Sequence, residues 1–173
     1  MNNNFELFKN VLELEAEAIK IGKNKITSTQ IEILEKLFSQ LITSNGSLVF
    51  VGIGKSGQIG AKLASTFSSL GLSSYSLHPV EALHGDLGRV TKNDVFVFIS
   101  KSGTTDEILK LIPFLPIQEN VISLLGNINS KIAQLSKLVF DCAVNKEACI
   151  NNQAPTTSST LALAMGDAMA VGF

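Results

Sequence analysis

The sequence is poor in the residues on which several classes of protein depend. Its 173 residues include no tryptophan and one tyrosine, so aromatic platforms for unpaired bases are scarce. The 14 basic residues are balanced by 15 acidic ones, for a formal net charge of −1, which argues against nucleic acid or an anionic membrane as the main partner. Two cysteines and two histidines supply neither a disulfide framework nor a zinc tetrad, so we expect no metal site.

Long hydrophobic segments are also missing. Residues 1–6 have neither the basic start nor the apolar run of a signal peptide. The longest apolar stretch, residues 161–173, is interrupted by Asp167 and is shorter than the ~20 residues that span a bilayer. We therefore expect a cytoplasmic protein with no membrane partner.

Patterned apolar residues are abundant, at 45% of the total, which is enough for a packed core. Within residues 1–45 they recur at helical spacing and predict a helical hairpin. The second helix is predicted to begin at Thr29, with Glu32 completing a capping box, and to end before Asn45-Gly46. The first helix is predicted from Phe5, Phe8, Leu12, Ala16 and Ile19, with Gly22 as its stop.

From Ser47 onwards, short β-branched or aromatic runs alternate with helical segments. Runs such as residues 95–99 are apolar at every position, as in strands that helices cover on both faces. The pattern predicts a single α/β domain over residues 1–173, whose core at 46–173 is a three-layer αβα sandwich around a five-stranded parallel sheet. The predicted strands are Leu48–Ile53, Ser74–Leu77, Val95–Ser100, Val121–Leu124 and Leu138–Phe140, with helices near Ser56–Leu70, Thr105–Phe114, Ser130–Leu135 and Ser158–Val171.

The first predicted strand leads into a glycine-rich turn, Gly52-Ile53-Gly54-Lys55-Ser56-Gly57. Such a turn before a helix favours anion binding, because the backbone can approach a ligand and the helix start offers unpaired N–H groups. A nucleotide P-loop would need glycine where Val49 stands. A dinucleotide turn shares the spacing, but no carboxylate precedes Glu81 after the second strand. A plain strand–helix turn is the third alternative.

A second turn of this kind, Ser100-Lys101-Ser102-Gly103-Thr104-Thr105, follows the third strand. Short hydroxyl side chains can donate to a phosphate beside the N–H groups of a helix start. On its own this cluster would also fit a simple helix cap. Because the two turns should follow neighbouring strands, we expect one phosphate-bearing small molecule to bridge them.

Segments in consistent order between Ser47 and Phe173 match one known family. They are Gly54-Lys55-Ser56-Gly57, residues 78–88 (HPVEALHGDLG), the Ser-x-Ser-Gly turn at 100–103, Lys146-Glu147-Ala148-Cys149 and residues 154–160 (APTTSST). Together they resemble the sugar isomerase (SIS) domain and, more narrowly, the arabinose-5-phosphate isomerases. The His-Gly-Asp-Leu-Gly and Lys-Glu-Ala-Cys segments make the resemblance more specific than the glycine turn alone.

The resemblance implies a flavodoxin-like fold and an enzyme that interconverts D-arabinose 5-phosphate and D-ribulose 5-phosphate through an enediol. It implies no metal or organic cofactor, and a homo-oligomer, a dimer or more commonly a tetramer. The product would feed the acidic sugar of Gram-negative lipopolysaccharide. The alternatives are a non-catalytic phosphosugar-binding regulatory module and an isomerase of another sugar phosphate.

The resemblance also assigns roles to individual residues. Glu147 would be the base that moves a proton between C1 and C2, and Lys55 would polarise the carbonyl. Glu107 would anchor Lys55 or relay protons between oxygens, and His84 would act in ring opening or bind a hydroxyl. The implied phosphate ligands are Gly54, Ser56, Gly57, Ser100, Ser102, Gly103 and Thr105.

The match fails at the end of the sequence. Family members continue with a Ser-His-Pro-Gly-Gly-like segment, whose histidine is thought catalytic, and often with paired CBS domains. This sequence stops at Phe173, so that histidine has no counterpart in it. If the histidine opens the sugar ring, we expect this chain to bind phosphosugar but to turn it over slowly or not at all.

Overall fold

The computed structural model describes residues 3–116 and 120–173. After an opening pair of helices, strands and helices alternate along the chain. Among the described residues, the helices are α1 (Asn3–Asn24), α2 (Ser28–Thr43), α3 (Lys55–Ser69), α4 (Pro79–Leu83), α5 (Asp106–Leu111), α6 (Lys131–Gln134) and α7 (Thr157–Gly172). The strands are β1 (Leu48–Val51), β2 (Ser74–Leu77), β3 (Val95–Ser100), β4 (Val121–Leu125) and β5 (Leu138–Asp141).

The five strands form one all-parallel sheet in the order β2-β1-β3-β4-β5, which confirms the predicted α/β fold. The chain order reverses between β1 and β3, which pair directly, with Val51 opposite Phe98. The carboxyl ends of these two strands therefore meet at the switch point where ligands bind in such sheets. This pairing brings together the two turns that the sequence singles out.

Helices cover the sheet on both faces, as the apolar runs predict. On one face Phe50, Val97 and Leu124 pack beneath α2, α3 and α7. On the other face Phe96, Phe98 and Leu125 pack with α5 and α6. Because neighbouring residues of one strand point to opposite faces, β1, β3 and β4 are buried along their whole lengths.

The predicted start of α2 is wrong, because the helix begins two residues earlier, after Thr27. The Thr27 hydroxyl accepts from the Gln30 N–H at 3.2 Å, and the Gln30 side-chain oxygen accepts from the Thr27 N–H at 2.9 Å. The sequence offers a second threonine with equivalent spacing, Thr29 with Glu32. Gln30 Nε2 also donates to the Val139 carbonyl at 2.7 Å, so a contact with β5 selects the register.

Gly22 does not end α1, contrary to prediction, since the helix continues to Asn24. A Cβ atom on Gly22 would lie 2.5 Å from Leu161 Cδ1. The glycine therefore permits α1 to approach α7 closely, and both N-terminal helices pack on the α/β core, α1 against α7 and α2 against β5.

The other boundaries that differ are shifted by one to three residues, and one region differs in kind. The segment around His84, for which no helix is predicted, contains α4 and a 3₁₀ turn at Asp86–Arg89. Pro79 at the first position of α4 starts that helix, because its fixed φ and missing N–H suit a first turn. The predicted helix at 105–114 ends at Leu111 and continues as a 3₁₀ turn through Pro113. In the described part of the chain, no helix combines the length and apolarity needed to cross a membrane.

Candidate functional site

A hollow lies at the carboxyl edge of the sheet, where the turns after β1 and β3 face the start of α7. It has two adjoining parts, of about 130 and about 560 Å³. Both parts are lined by Ile53, Ser56, Ile99, Ser100, Lys101, Gly126, Cys142 and Ser158. The residues that line only the smaller part are Lys55, Ile59, Leu124, Pro155, Ser159 and Ala162, and those that line only the larger part are Ser102, Thr105 and Val144.

The β1–α3 turn is built tightly at its base and is open at its tip. A Cβ on Gly52 would lie 2.8 Å from the Ser56 carbonyl carbon, and one on Gly57 would lie 2.8 Å from the Gly52 carbonyl oxygen. Gly54 has a φ of +58°, and a Cβ there would meet nothing within 4 Å. It precedes α3 without a side-chain cap, so the first N–H groups of that helix have no side-chain partner at this position.

The β3–α5 turn is held by its own hydroxyl groups. The buried Ser100 Oγ accepts from the Gly103 N–H at 3.0 Å and is 2.8 Å from Thr105 Oγ1. Ser102 Oγ accepts from the Thr104 N–H at 3.2 Å. These bonds give the turn a fixed shape, with Ser102 and Thr105 lining the hollow.

The Glu147 carboxylate caps the start of α7 from ten residues upstream of that helix. Its side chain is fully buried and accepts from the Thr156 N–H at 2.9 Å and the Ser158 N–H at 3.1 Å. The hydroxyls of Thr156, at 3.2 Å, and Ser158 also donate to it. Lys101 Nζ completes the set at 2.6 Å from Oε1.

This set of donors decides the charge of Glu147. Burial raises the pKa of the carboxyl group, but the hydrogen bonds from Lys101, Ser158 and Thr156 outweigh burial and lower the pKa from 4.5 to about 2. The group is therefore a carboxylate at neutral pH. It has the protonation state of a general base, although a low pKa makes the base intrinsically weak.

Of the four predicted catalytic residues, the structure places Lys55 on the hollow and Glu147 beside it. Lys55 lines the smaller part of the hollow, and Glu147 reaches it through two lining residues, Lys101 and Ser158. Of the predicted phosphate ligands, four bring a side chain to the hollow, namely Ser56, Ser100, Ser102 and Thr105.

His84 and Glu107 are not brought to this hollow. His84 ends α4, and its Nδ1 donates to the Val80 carbonyl at 2.8 Å. Glu107 lies in the first turn of α5, where a carboxylate complements the helix dipole. Neither side chain is among the residues that line the hollow.

Two groups of the site are absent from the sequence-based prediction. In the sequence, Lys101 stands only as the spacer of a Ser-x-Ser-Gly turn, and Ser158 only as the start of a helix within the segment at residues 154–160, with no role assigned to it. Their shared contact, Glu147, is 46 and 11 residues away along the chain. The one available signal is that Lys101, like its neighbours, follows a strand at the ligand-binding edge.

Comparison with known proteins identifies the family. The SIS domain model matches residues 41–172. The chain is 40% identical over 175 residues to arabinose 5-phosphate isomerase KdsD of Francisella tularensis, covering 99% of this chain and 51% of the relative. It is 43% identical over 164 residues to the KdsD of Salmonella typhi, covering 94% of this chain and 49% of the relative. The chain thus spans about half the length of the curated relatives it matches.

A solved structure extends the match to the whole described fold. It is that of Escherichia coli CFT073 c3406 in complex with arabinose 5-phosphate, with a TM-score of 0.88 and 37% sequence identity. The alignment covers 99% of this chain and 91% of that one. The predicted resemblance is confirmed, and the chain belongs to the SIS-domain family.

Proposed function

We propose that this chain carries the isomerase site of an enzyme that interconverts D-arabinose 5-phosphate and D-ribulose 5-phosphate. One observation supports the proposal above others: the hydroxyls of two neighbouring turns line one hollow, and a deprotonated, buried carboxylate lies directly behind it, bound to the lining residues Lys101 and Ser158. A phosphate site beside a base is what an aldose–ketose isomerase of phosphosugars requires. The similarity to a structure solved with arabinose 5-phosphate supports the same substrate.

The phosphate group would bind at the larger part of the hollow. Ser102 and Thr105 line that part together with Ser56 and Ser100, and their hydroxyls can donate to phosphate oxygens. We also propose that the backbone at Gly54, Gly57 and Gly103 shapes these turns around the ligand. Binding energy from the phosphate would then orient the reacting carbons, which lie far from it in the sugar.

The proton transfers of the isomerisation would take place at the part of the hollow next to Glu147. In the open-chain aldose, Glu147 would take the proton from C2, and negative charge would develop on O1 as the enediolate forms. The Lys55 ammonium would stabilise that charge. Return of the proton to C1, with transfer of the O2 proton to O1, would give the ketose. No cofactor is required for these steps.

We place His84 and Glu107 in supporting roles in the same reaction. Both are absent from the hollow of the single chain, so His84 would act only where another copy brings its own site close.

An exposed apolar stripe on α1 supports a homo-oligomer, a dimer or tetramer: Phe5, Phe8, Leu12 and Ile19 are all exposed, and such stripes mark interaction surfaces. We further propose that the enzyme acts in the cytoplasm and supplies lipopolysaccharide synthesis.

A direct assay tests the proposed function. The chain is incubated with D-arabinose 5-phosphate, and ribulose 5-phosphate is quantified, in parallel with the Glu147→Gln variant. We expect conversion by the unmodified chain, slow where ring opening needs the family's C-terminal histidine, and a further loss of about 10²- to 10⁴-fold in the variant, the usual contribution of a general base. Equal rates in the two proteins would contradict the assignment of Glu147.

A non-catalytic phosphosugar-binding module is the second candidate. It is favoured by the low pKa of Glu147 and by the capping role of that residue, which explain the carboxylate without catalysis. Binding of D-arabinose 5-phosphate without conversion, both in this chain and in a version extended by a relative's C-terminal segment, would support this second function. Conversion by the extended version alone would support the isomerase and the expected need for the C-terminal histidine.

A further inference from the structure

Lys101 is the charged group of the hollow to which no role has been given. It lies between Ser100 and Ser102, lines both parts of the hollow, and binds Glu147 Oε1 at 2.6 Å. Its side chain is 54% exposed, whereas that of Glu147 is 0% exposed. The ammonium group therefore has one side on the carboxylate and the other side towards the space where a ligand would sit.

We propose that Lys101 is a positioning residue that acts through Glu147 and links the β3–α5 turn to that carboxylate. An anion held beside Ser100 and Ser102 competes with the Glu147 carboxylate for the Lys101 ammonium group. This inference rests on the proposed function, since it uses the same turn and the same carboxylate. When the bound anion draws the Lys101 ammonium group away from the carboxylate, Glu147 becomes a stronger base.

The donors around Glu147 differ in their freedom to move. Four belong to Thr156 and Ser158, two backbone N–H groups and two hydroxyls at the start of α7. These donors are fixed by the helix and would hold the carboxylate in place without the lysine. Lys101 alone reaches the carboxylate on a flexible four-carbon chain that carries a compact charge. The helix thus fixes the position of Glu147, and the lysine adjusts its basicity.

The other residues that line the hollow do not explain such a change in the basicity of Glu147, which points to Lys101 as its cause. Among the described residues that line it, the charged side chains are Lys55, on α3, and Lys101. Cys142 is the remaining titratable one, and burial raises the pKa of its thiol to about 12, so it stays neutral. The lining residues from α7, Ser158, Ser159 and Ala162, are uncharged.

Carboxyl-detected NMR measures the effect directly, without relying on catalysis. Glutamate labelled with ¹³C at the side-chain carboxyl is incorporated, and the Glu147 signal is assigned as the one lost in Glu147→Gln. The signal is titrated over the pH range in which the amide spectrum stays dispersed. Samples carry saturating sulfate, a dianion except at the acid end of that range, or sodium chloride at matched ionic strength. The proteins are the unmodified chain, Lys101→Met, Lys101→Gln, Lys101→Arg and the control Lys55→Met.

Without sulfate, we expect Lys101→Met and Lys101→Gln to raise the Glu147 pKa by about one to three pH units, the usual effect of losing an adjacent opposite charge. Lys101→Arg should keep the value close to that of the unmodified chain. Sulfate should raise the Glu147 pKa in the unmodified chain and in Lys55→Met, and by less than half as much in Lys101→Met. A purely structural lysine would change the melting temperature and leave these values unchanged.

Three results separate the possible failures. An unchanged Glu147 pKa in both Lys101→Met and Lys101→Gln would overturn the inference. So would a sulfate-induced rise of equal size with and without the lysine. If sulfate leaves the amide signals of Ser102 and Gly103 in place in every protein, the anion site is absent and the proposed function itself fails.

Discussion

The two turns that face the hollow hold their polar groups in opposite ways. In the β3–α5 turn the Ser100 hydroxyl is bonded to Gly103 and Thr105, so the turn is fixed before any ligand arrives. In the β1–α3 turn, the tip at Gly54 has free space around it, whereas neither α3 nor α5 starts with a side-chain cap. The difference indicates that the β3–α5 turn has a fixed shape and that the β1–α3 turn leaves room for a ligand, although both follow the same pattern of glycine and serine.

Alanine at the positive-φ glycine of each turn, Gly54 or Gly103, gives the largest contrast between the turns. In Gly103→Ala, the Cβ would lie 2.0 Å from Ser130 Oγ, at a φ of +67°. We expect a loss of about 3 to 4 kcal/mol in the free energy of unfolding, since backbone strain and overpacking add. In Gly54→Ala only the strain at φ +58° applies, and we expect a loss of about 1 to 2 kcal/mol. Urea denaturation of the two variants measures both values.

Gly88→Ala serves as the matched control, because a Cβ there meets nothing within 4 Å and its φ is ordinary. Its stability should stay within about 0.5 kcal/mol of the unmodified chain. Equal losses in Gly103→Ala and Gly54→Ala would show that the two turns are not built differently.

The pH dependence of stability tests the hydrogen bonds that hold the Glu147 carboxylate. Its pKa is about 2 in the folded chain against 4.5 ordinarily, so folding favours the ionised form. The resulting stabilisation is complete above about pH 5 and is lost as pH falls from 5 towards 2. We expect it to be on the order of 2 kcal/mol, because the half-exposed lysine partner is partly screened by solvent.

Unfolding free energies of the unmodified chain and of Glu147→Gln, measured between pH 3 and 7, isolate this contribution. The difference between the two proteins should shrink as the pH falls. A constant difference across that range would mean that the Glu147 carboxyl group titrates alike in the folded and unfolded chains.

Serine-to-alanine changes give the smallest expected contrast. Ser100→Ala removes the acceptor for the Gly103 N–H and the partner of Thr105, and we expect a loss of about 1 to 2 kcal/mol. Ser56→Ala should change stability by less than about 0.5 kcal/mol, while both variants weaken sulfate binding. A stability loss in Ser56→Ala as large as that in Ser100→Ala would contradict the distinction between the turns.

The sheet can be predicted from the sequence because its signal is local. The strand at Val95–Ser100 is predicted with its observed bounds, since every residue of it is buried and the apolar run carries that information. The two turns are found for the same reason, since each directly follows a strand. The start of α2 and the role of Gly22 are not found, because Val139 and Leu161, which decide them, are distant in sequence.

The site is predictable residue by residue only where a family motif names the residue. Glu147 is expected as a base, but its hydrogen bonds to the start of α7 could not be foreseen, because they depend on how residues 148–155 fold back. Lys101 is missed because its importance comes from a contact across 46 residues. His84 and Glu107 show the reverse case, since the family resemblance names them and the single chain leaves them outside the hollow.

Glu147 occupies the start of α7 as a built-in anion, and this has a consequence for how a ligand is captured. The chain carries almost no net charge, and the attraction of helix starts for anions fades within about one turn. A phosphosugar would therefore feel little pull at distances beyond the Debye length, about 8 Å at physiological ionic strength. Added salt should change the rate of its encounter with the protein only slightly, and selectivity among sugars would arise from differences in their dissociation rates.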